Sequence, residues 1–191
     1  MYSVILGHLG SDIVAANAIA VVARNWGTVL CFGIANGCAI ILGRTLGENQ
    51  LALAKEYAKR FLRLGLCFGI FGGILILLFR PLFLTMGHLS ERAIHYLNFM
   101  LFINAYYVIG IALNSTWISS VFRAGGDSKF GFLCDLFTLW CWIIPIGFFL
   151  AFYLKLSPML VYIFLSADEF FKIPFVYRHY KKYGWLKNIT R

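Results

Sequence analysis

Polar positions along this chain are confined to short turns and to a few isolated points inside five long apolar runs. The runs fall at roughly 14–43, 61–86, 93–122, 130–154 and 158–178. Each holds the ~20 residues that a helix needs to cross a bilayer. Residues 1–10 are also apolar but too short to span, and they lack the basic start and small-residue cleavage site of a secretory signal. They read as the tail of a helix that begins further upstream. The pattern predicts an all-α polytopic membrane helix bundle, with five full transmembrane helices plus the tail of a sixth, in a single domain over residues 1–191.

Local signals refine these elements. Asp12, after Ser11, suits an N-cap for the first full helix. Pro81 marks the end region of the second, and Pro158 suits the first turn of the last. Pro145 lies in mid-span and should kink its helix. Gly65, Gly69 and Gly73 recur every four residues on one face, as do Gly33 with Gly37 and Gly43 with Gly47. Small residues at that spacing let helix backbones approach closely in lipid, so they are expected at helix crossings.

The interruptions of the apolar runs are the candidate chemistry. An ionised side chain near a helix centre costs at least ~2.5 kcal/mol in hydrocarbon. Arg24, Asp135, Asp168, Glu169 and Lys172 are therefore expected to face a bundle interior or a watery cavity. Asp168 and Glu169 precede Lys172 by four and three residues, so the lysine should lie between them one turn on. Two readings stay open: a pair that neutralises itself to permit insertion, or a proton or cation relay carrying a net −1. Asp135 has only Thr138 as a near polar neighbour. Buried alone it would be a proton carrier, and near the membrane interface it would be an ordinary surface acid. Asn17, Arg24, Thr28 and Cys31 form a polar stripe on the first full helix. Asn104, Tyr107, Ile111 and Asn114 form a looser one on the third. Aromatic side chains such as Tyr106, Tyr107, Trp117, Trp140 and Trp142 could stack on flat or cationic guests, or serve as interface belts and packing.

Composition supports the membrane assignment: 61% of residues are hydrophobic and 13% charged, against about 25% charged in an ordinary soluble domain. The net charge of +9 points to topology rather than nucleic acid. Arg44, Lys55, Lys59, Arg60 and Arg63, then Arg123 and Lys129, then Arg178, Lys181, Lys182, Lys187 and Arg191 occupy alternate connections. The intervening ones hold only Arg80, Arg92 and Lys155. This bias predicts that the basic ends and the C-terminus face the cytoplasm of a multi-pass cell-membrane protein. The five cysteines (31, 38, 67, 134 and 141) read as small buried apolar residues. Asn114-Ser-Thr and Asn188-Ile-Thr match the glycosylation pattern but fall inside the membrane and in the cytoplasm, so neither should be modified.

No hydrolase elbow, nucleotide-binding loop or zinc-protease helix is present. His8, His88 and His95 fall near membrane edges and His179 in the basic tail. An enzyme is not expected. Nor is a cofactor beyond a coupling ion, Na⁺ or H⁺, since transport without a nucleotide site runs on an ion gradient or downhill.

Four segments carry a family resemblance. Arg123-Ala-Gly-Gly-Asp127 resembles the R-x-G-G-D loop of the multidrug and toxin extrusion (MATE) family, with Arg123, Gly125, Gly126 and Asp127 in the motif positions. Leu42-Gly-Arg-Thr-Leu-Gly-Glu-Asn-Gln50, followed by Ala52, Ala54 and Ala58, resembles the loop after that family's eighth helix. Trp142-Ile-Ile-Pro-Ile146 resembles part of its eleventh, and Tyr177-Arg178 through Trp185 the end of its twelfth. The resemblance spans essentially the whole chain. It implies a twelve-helix antiporter of two six-helix lobes that exports organic, often cationic compounds against Na⁺ or H⁺. This chain would be the C-terminal lobe, lacking most of its first helix, and the missing N-terminal lobe would be a partner beside the bilayer and the small-molecule substrate. In the sodium-coupled branch an acid sits about three turns before the loop. Here that region reads Ile111-Ala112-Leu113-Asn114, so that site does not carry over, and Asp168 and Glu169 become the preferred acids. Alone, one lobe is not expected to transport. The alternatives are a lipid-linked oligosaccharide flippase of the same superfamily, which would want more cations in its cavity than Arg24 and Lys172, and a non-transporting truncated membrane fragment.

Overall fold

The computed structural model describes residues 2–86 and 89–188. His88, Arg191 and the Ile189-Thr190 end of the second acceptor pattern lie outside them. Helix α1 (Tyr2–His8) leads through Gly10, at φ 123°, into α2 (Ser11–Gly47). Then come α3 (Leu51–Leu78), the short α4 (Arg80–Thr85) and α5 (Glu91–Asn114), which runs on without a break as a π-helical stretch, Ser115–Phe122. Helix α6 (Ser128–Phe137) continues through π-helical Thr138–Ile143, α7 (Ile144–Phe148) and π-helical Phe149–Tyr153. Helices α8 (Pro158–Leu165) and α9 (Asp168–Lys181) close the described chain. No strand occurs among the described residues.

Four helices are long and apolar enough to cross a membrane: Ser11–Gly47, Leu51–Leu78, Glu91–Phe122 and Ser128–Tyr153. Each matches a predicted span. The predicted fifth, 158–178, is two shorter helices, because the backbone turns at Ser166–Ala167. Breaking there places Asp168 and Glu169 in the first turn of α9, where the helix dipole favours negative charge. A proline overlooked in the sequence, Pro174, then sits inside α9.

The bundle is held by close backbone approach. A Cβ on Gly65 would meet Thr116 Oγ1 at 2.6 Å, one on Gly69 would meet Ala112 Cβ at 2.8 Å, and one on Gly73 would run into the Ala105 carbonyl. The predicted glycine stripe is thus the seam between α3 and α5. Its companion was not anticipated: Gly72 on α3 lies against the carbonyl of Gly27 on α2. Among the described residues, Gly33, Gly37 and Gly43 have no neighbour within 4 Å of where a Cβ would project, so their spacing marks no crossing there. Two apolar clusters fill the interior. One is built on Ile5, Ile13, Leu97, Leu101 and Val161, the other, at the basic end, on Leu42, Leu46, Val121, Phe122 and Trp185.

Some local expectations need correction. Gly10, not Asp12, precedes the first turn of α2 and no side chain caps it; Asp12 instead accepts from Ser90 Oγ at 2.7 Å. Ser90 in turn caps α5 by accepting from Ala93 N at 3.1 Å, so one hydroxyl ties two helix starts together. All five cysteines are free, but only Cys31 and Cys38 are buried; Cys134 is half-buried and Cys67 and Cys141 are exposed. A lipid-facing surface is as apolar as the core, so burial is no condition for placing a thiol there. Pro145 sits at the start of α7, between two π-helical stretches.

Candidate functional site

Polar side chains from five helices meet around one cavity of about 590 Å³. Helix α2 contributes Asn17, Arg24 and Thr28, and α5 contributes Tyr107, Ile111 and Asn114. These are two of the predicted polar stripes, turned toward each other. Helix α6 adds Asp135, α8 adds Tyr162, and α9 adds Asp168, Glu169 and Lys172. The five charged residues picked from the apolar runs therefore share one cavity. Cys31 drops out of its stripe into the core, where its thiol faces the Gly27 carbonyl at 3.8 Å.

Lys172 is the centre of the charge arrangement. Its ammonium donates to Glu169 Oε1 at 2.8 Å and to Asp135 Oδ1 at 3.0 Å, while its side chain is only 8% exposed. The expected seat between Asp168 and Glu169 is half right. Asp168 is not within ion-pair distance; its Oδ1 accepts from Tyr107 OH at 2.9 Å. Asp135, expected to lack a charge partner, has this one from a helix 37 residues away, and its side chain is 52% exposed. Burial without a partner therefore does not describe it.

Asn114 is nearly buried and fixes Glu169 twice: Nδ2 donates to the Glu169 backbone carbonyl and to Oε2, both at 2.7 Å. Both partners are acceptors, which fixes the orientation of the amide, and Oδ1 is left buried without a donor among the described residues. Behind the wall, Asn104 donates to Ala20 O at 3.2 Å and accepts from Tyr162 OH at 3.4 Å. Asn104 thus supports the cavity without lining it. Arg24 lies over the Tyr107 ring, with its guanidinium carbon 5.6 Å from the centroid.

The aromatic expectation narrows to Tyr107. Trp140 and Trp142 are exposed on the outer surface, Tyr106 packs on Phe170, and Trp117 is buried among Tyr177 and Tyr180. Tyr162 was missed, because a tyrosine in a fully apolar helix carries no periodic signal.

The R-x-G-G-D loop is elsewhere, at the basic end of the bundle. Arg123 is exposed. A Cβ on Gly125 would strike the Trp185 backbone carbonyl, and Gly126 turns the chain at φ 71°. Asp127 Oδ2 bonds His179 Nε2, and the His179 ring stacks on Phe130 at 3.6 Å. The loop is a brace for the tail and supplies nothing to the cavity. Among the described residues no group of three His, Cys, Asp or Glu is placed to hold a metal.

A family model described as MatE matches residues 1–149. The stretch includes the Arg123–Asp127 loop and Trp142–Ile146, but not the resemblance drawn for Tyr177–Trp185. Asp168, Glu169 and Lys172 also lie beyond it, so their role rests on the geometry of this chain. No curated protein and no solved structure matches.

Proposed function

The chain belongs to the MatE family of membrane transporters, and from that premise we propose that it forms one lobe of an ion-coupled exporter of organic, often cationic compounds. The observation that carries this reading is the charge cluster. Asp135, Asp168 and Glu169 against Arg24 and Lys172 leave one negative charge on a cavity between apolar spans. A proton or a sodium ion neutralises it, and a substrate cation competes for the same charge, which is the thermodynamic basis of exchange. Asn114 Oδ1, beside Glu169 and without a donor among the described residues, is an acceptor that a protonated or cationic group would satisfy. The turn that starts α9 at the acids supports the reading as well, since transporters place ion and substrate sites at the ends of broken helices.

The test is efflux by the assembled two-lobe transporter in everted vesicles at matched expression. Glu169→Gln and Asp168→Asn are each expected to insert normally and to lower gradient-driven efflux by about tenfold or more, or to move its pH profile. Normal efflux with an unchanged profile in both variants sinks the coupling role. A self-neutralising structural pair makes the opposite forecast: Glu169→Gln impairs folding, and the protein that survives transports normally.

The orientation proposed is a cytoplasmic C-terminus, supported by the basic bias of alternate connections. A membrane-impermeant thiol reagent applied to intact cells should leave Lys187→Cys unlabelled until the membrane is permeabilised. Strong labelling from outside reverses the orientation.

A further inference from the structure

The basic bias of alternate connections leaves one end of the bundle with few cations, yet Arg80 stands there. It follows two residues after Leu78, where the second long apolar span ends. About two turns earlier, Gly73 brings α3 against α5 at Ala105. Its Nε donates to Asn98 Oδ1, and its guanidinium carbon lies 4.7 Å from the centroid of the Phe102 ring. Asn98 and Phe102 are one turn apart on α5, so the arginine reaches across the same seam that Gly73 closes.

These contacts hold the guanidinium but leave its charge unanswered. Among the described residues no acid lies within 4.0 Å of Arg80, and Nε is its only N–H donor with an acceptor. Asn98 turns Oδ1 to the arginine, so its Nδ2 is a further donor beside it, again with no acceptor among the described residues. A planar fork of N–H groups next to an amide donor suits an oxyanion, and phosphate above all. Its surroundings are apolar: Leu78, Phe79, Leu82 and Phe102 are all exposed.

We propose that Arg80 and Asn98 hold the phosphate of a membrane glycerophospholipid at the α3–α5 seam, with its acyl chains against the exposed apolar side chains. The site lies apart from the charged cavity and does not rest on the transport role. The phosphodiester of such a lipid carries one negative charge, which matches the one unanswered guanidinium. Phe102 covers one face of that guanidinium and leaves its N–H edge, which lies in its own plane, to the phosphate. A soluble anion offers the same oxygens but gains nothing from the leucines and phenylalanines around them, whereas a lipid satisfies both. Gly73 is the last glycine of α3, so a lipid held at Arg80 and Asn98 would tie the two helices where close backbone contact has run out.

Phosphatidylglycerol and diacylglycerol carrying the same pyrene-labelled tail share their chains and differ in the phosphate headgroup. Titrated into the full chain in detergent at constant ionic strength, each is followed by energy transfer from the tryptophans to pyrene. The wild-type chain should bind the phospholipid about tenfold more tightly than the diacylglycerol, the worth of a forked arginine–phosphate contact. Arg80→Gln should abolish that preference, while Arg92→Gln, the same charge change at the same end of the bundle, should keep it. Should Arg80→Gln fail to fold, Arg80→Lys, which keeps the charge and loses the fork, should still lose most of the preference. An excess of inorganic phosphate should leave the phospholipid in place; displacement would give the site to a soluble anion and overturn the lipid. Equal binding of the two lipids by the wild-type chain, a preference that survives Arg80→Gln, or an equal loss in Arg92→Gln overturns the proposal.

Discussion

Replacing Lys172 by methionine is expected to destabilise the chain more than neutralising any one of the acids around it. The substitution keeps the length of the side chain and removes the charge that two carboxylates share, at 2.8 and 3.0 Å. Removing one partner of a buried ion pair costs about 3–5 kcal/mol, because the other charge stays buried and unanswered. Here the lower end applies. Asp135 is half-exposed and water can take over its solvation, whereas Glu169, 14% exposed, keeps only the Asn114 amide. The unfolding midpoint of the purified chain in detergent should fall by several degrees, with part of the population aggregating. The double variant Glu169→Gln with Lys172→Met should recover most of the loss, since it removes the stranded charge along with its partner. A single variant as stable as the wild type, or a double no better than the single, would show that Lys172 is not the keystone of this wall.

The second large effect belongs to the α3–α5 seam. Gly73→Leu should abolish accumulation of folded chain in the membrane, while Gly33→Leu should be close to neutral. At Gly73 the first added carbon already overlaps the Ala105 carbonyl, which is backbone and cannot swing aside. The helices must separate, and separation also opens the neighbouring contact of Gly72 with Gly27. Overpacking costs about 1–3 kcal/mol where side chains can yield and more where they cannot. Gly33 faces open space, so leucine there meets nothing within this chain. Size-exclusion profiles of fluorescent fusions distinguish the two. A monodisperse Gly73→Leu, or an equally damaged Gly33→Leu, would mean that the glycine seam does not set the packing.

How far the sequence carried varies with the kind of signal. The four long spans were legible because hydropathy integrates over some twenty residues and is insensitive to detail. The Gly65–Gly69–Gly73 seam was legible because its period matches a helix face, yet the same period misled at Gly33 and Gly37, where no partner arrives. Spacing reports what a face permits; the partner helix decides what it does. The division between α8 and α9 was hidden, since Ser166 and Ala167 carry none of the glycine or proline punctuation that usually marks a turn. The site shows the same contrast. Buried charges announced themselves one by one through their cost, but the choice of Asp135 over Asp168 as second partner to Lys172 depends on a contact 37 residues apart. The link from His179 to Asp127, 52 residues apart, was out of reach for the same reason.

The tail that follows α9 is tied to loops made much earlier. Trp185, fully buried, stacks on Tyr180 and presses its backbone against Gly125. Asn188 donates to Gly47 O at 3.2 Å, and Lys55 covers the Tyr183 ring at 4.1 Å. In biogenesis this imposes an order. The long spans can insert and pair as they emerge, but the loops at 47–55 and 123–127 have no finished neighbour until residues 180–188 have been synthesised. A ribosome stalled before that point would leave an inserted bundle with one open end, the form on which membrane quality control would act.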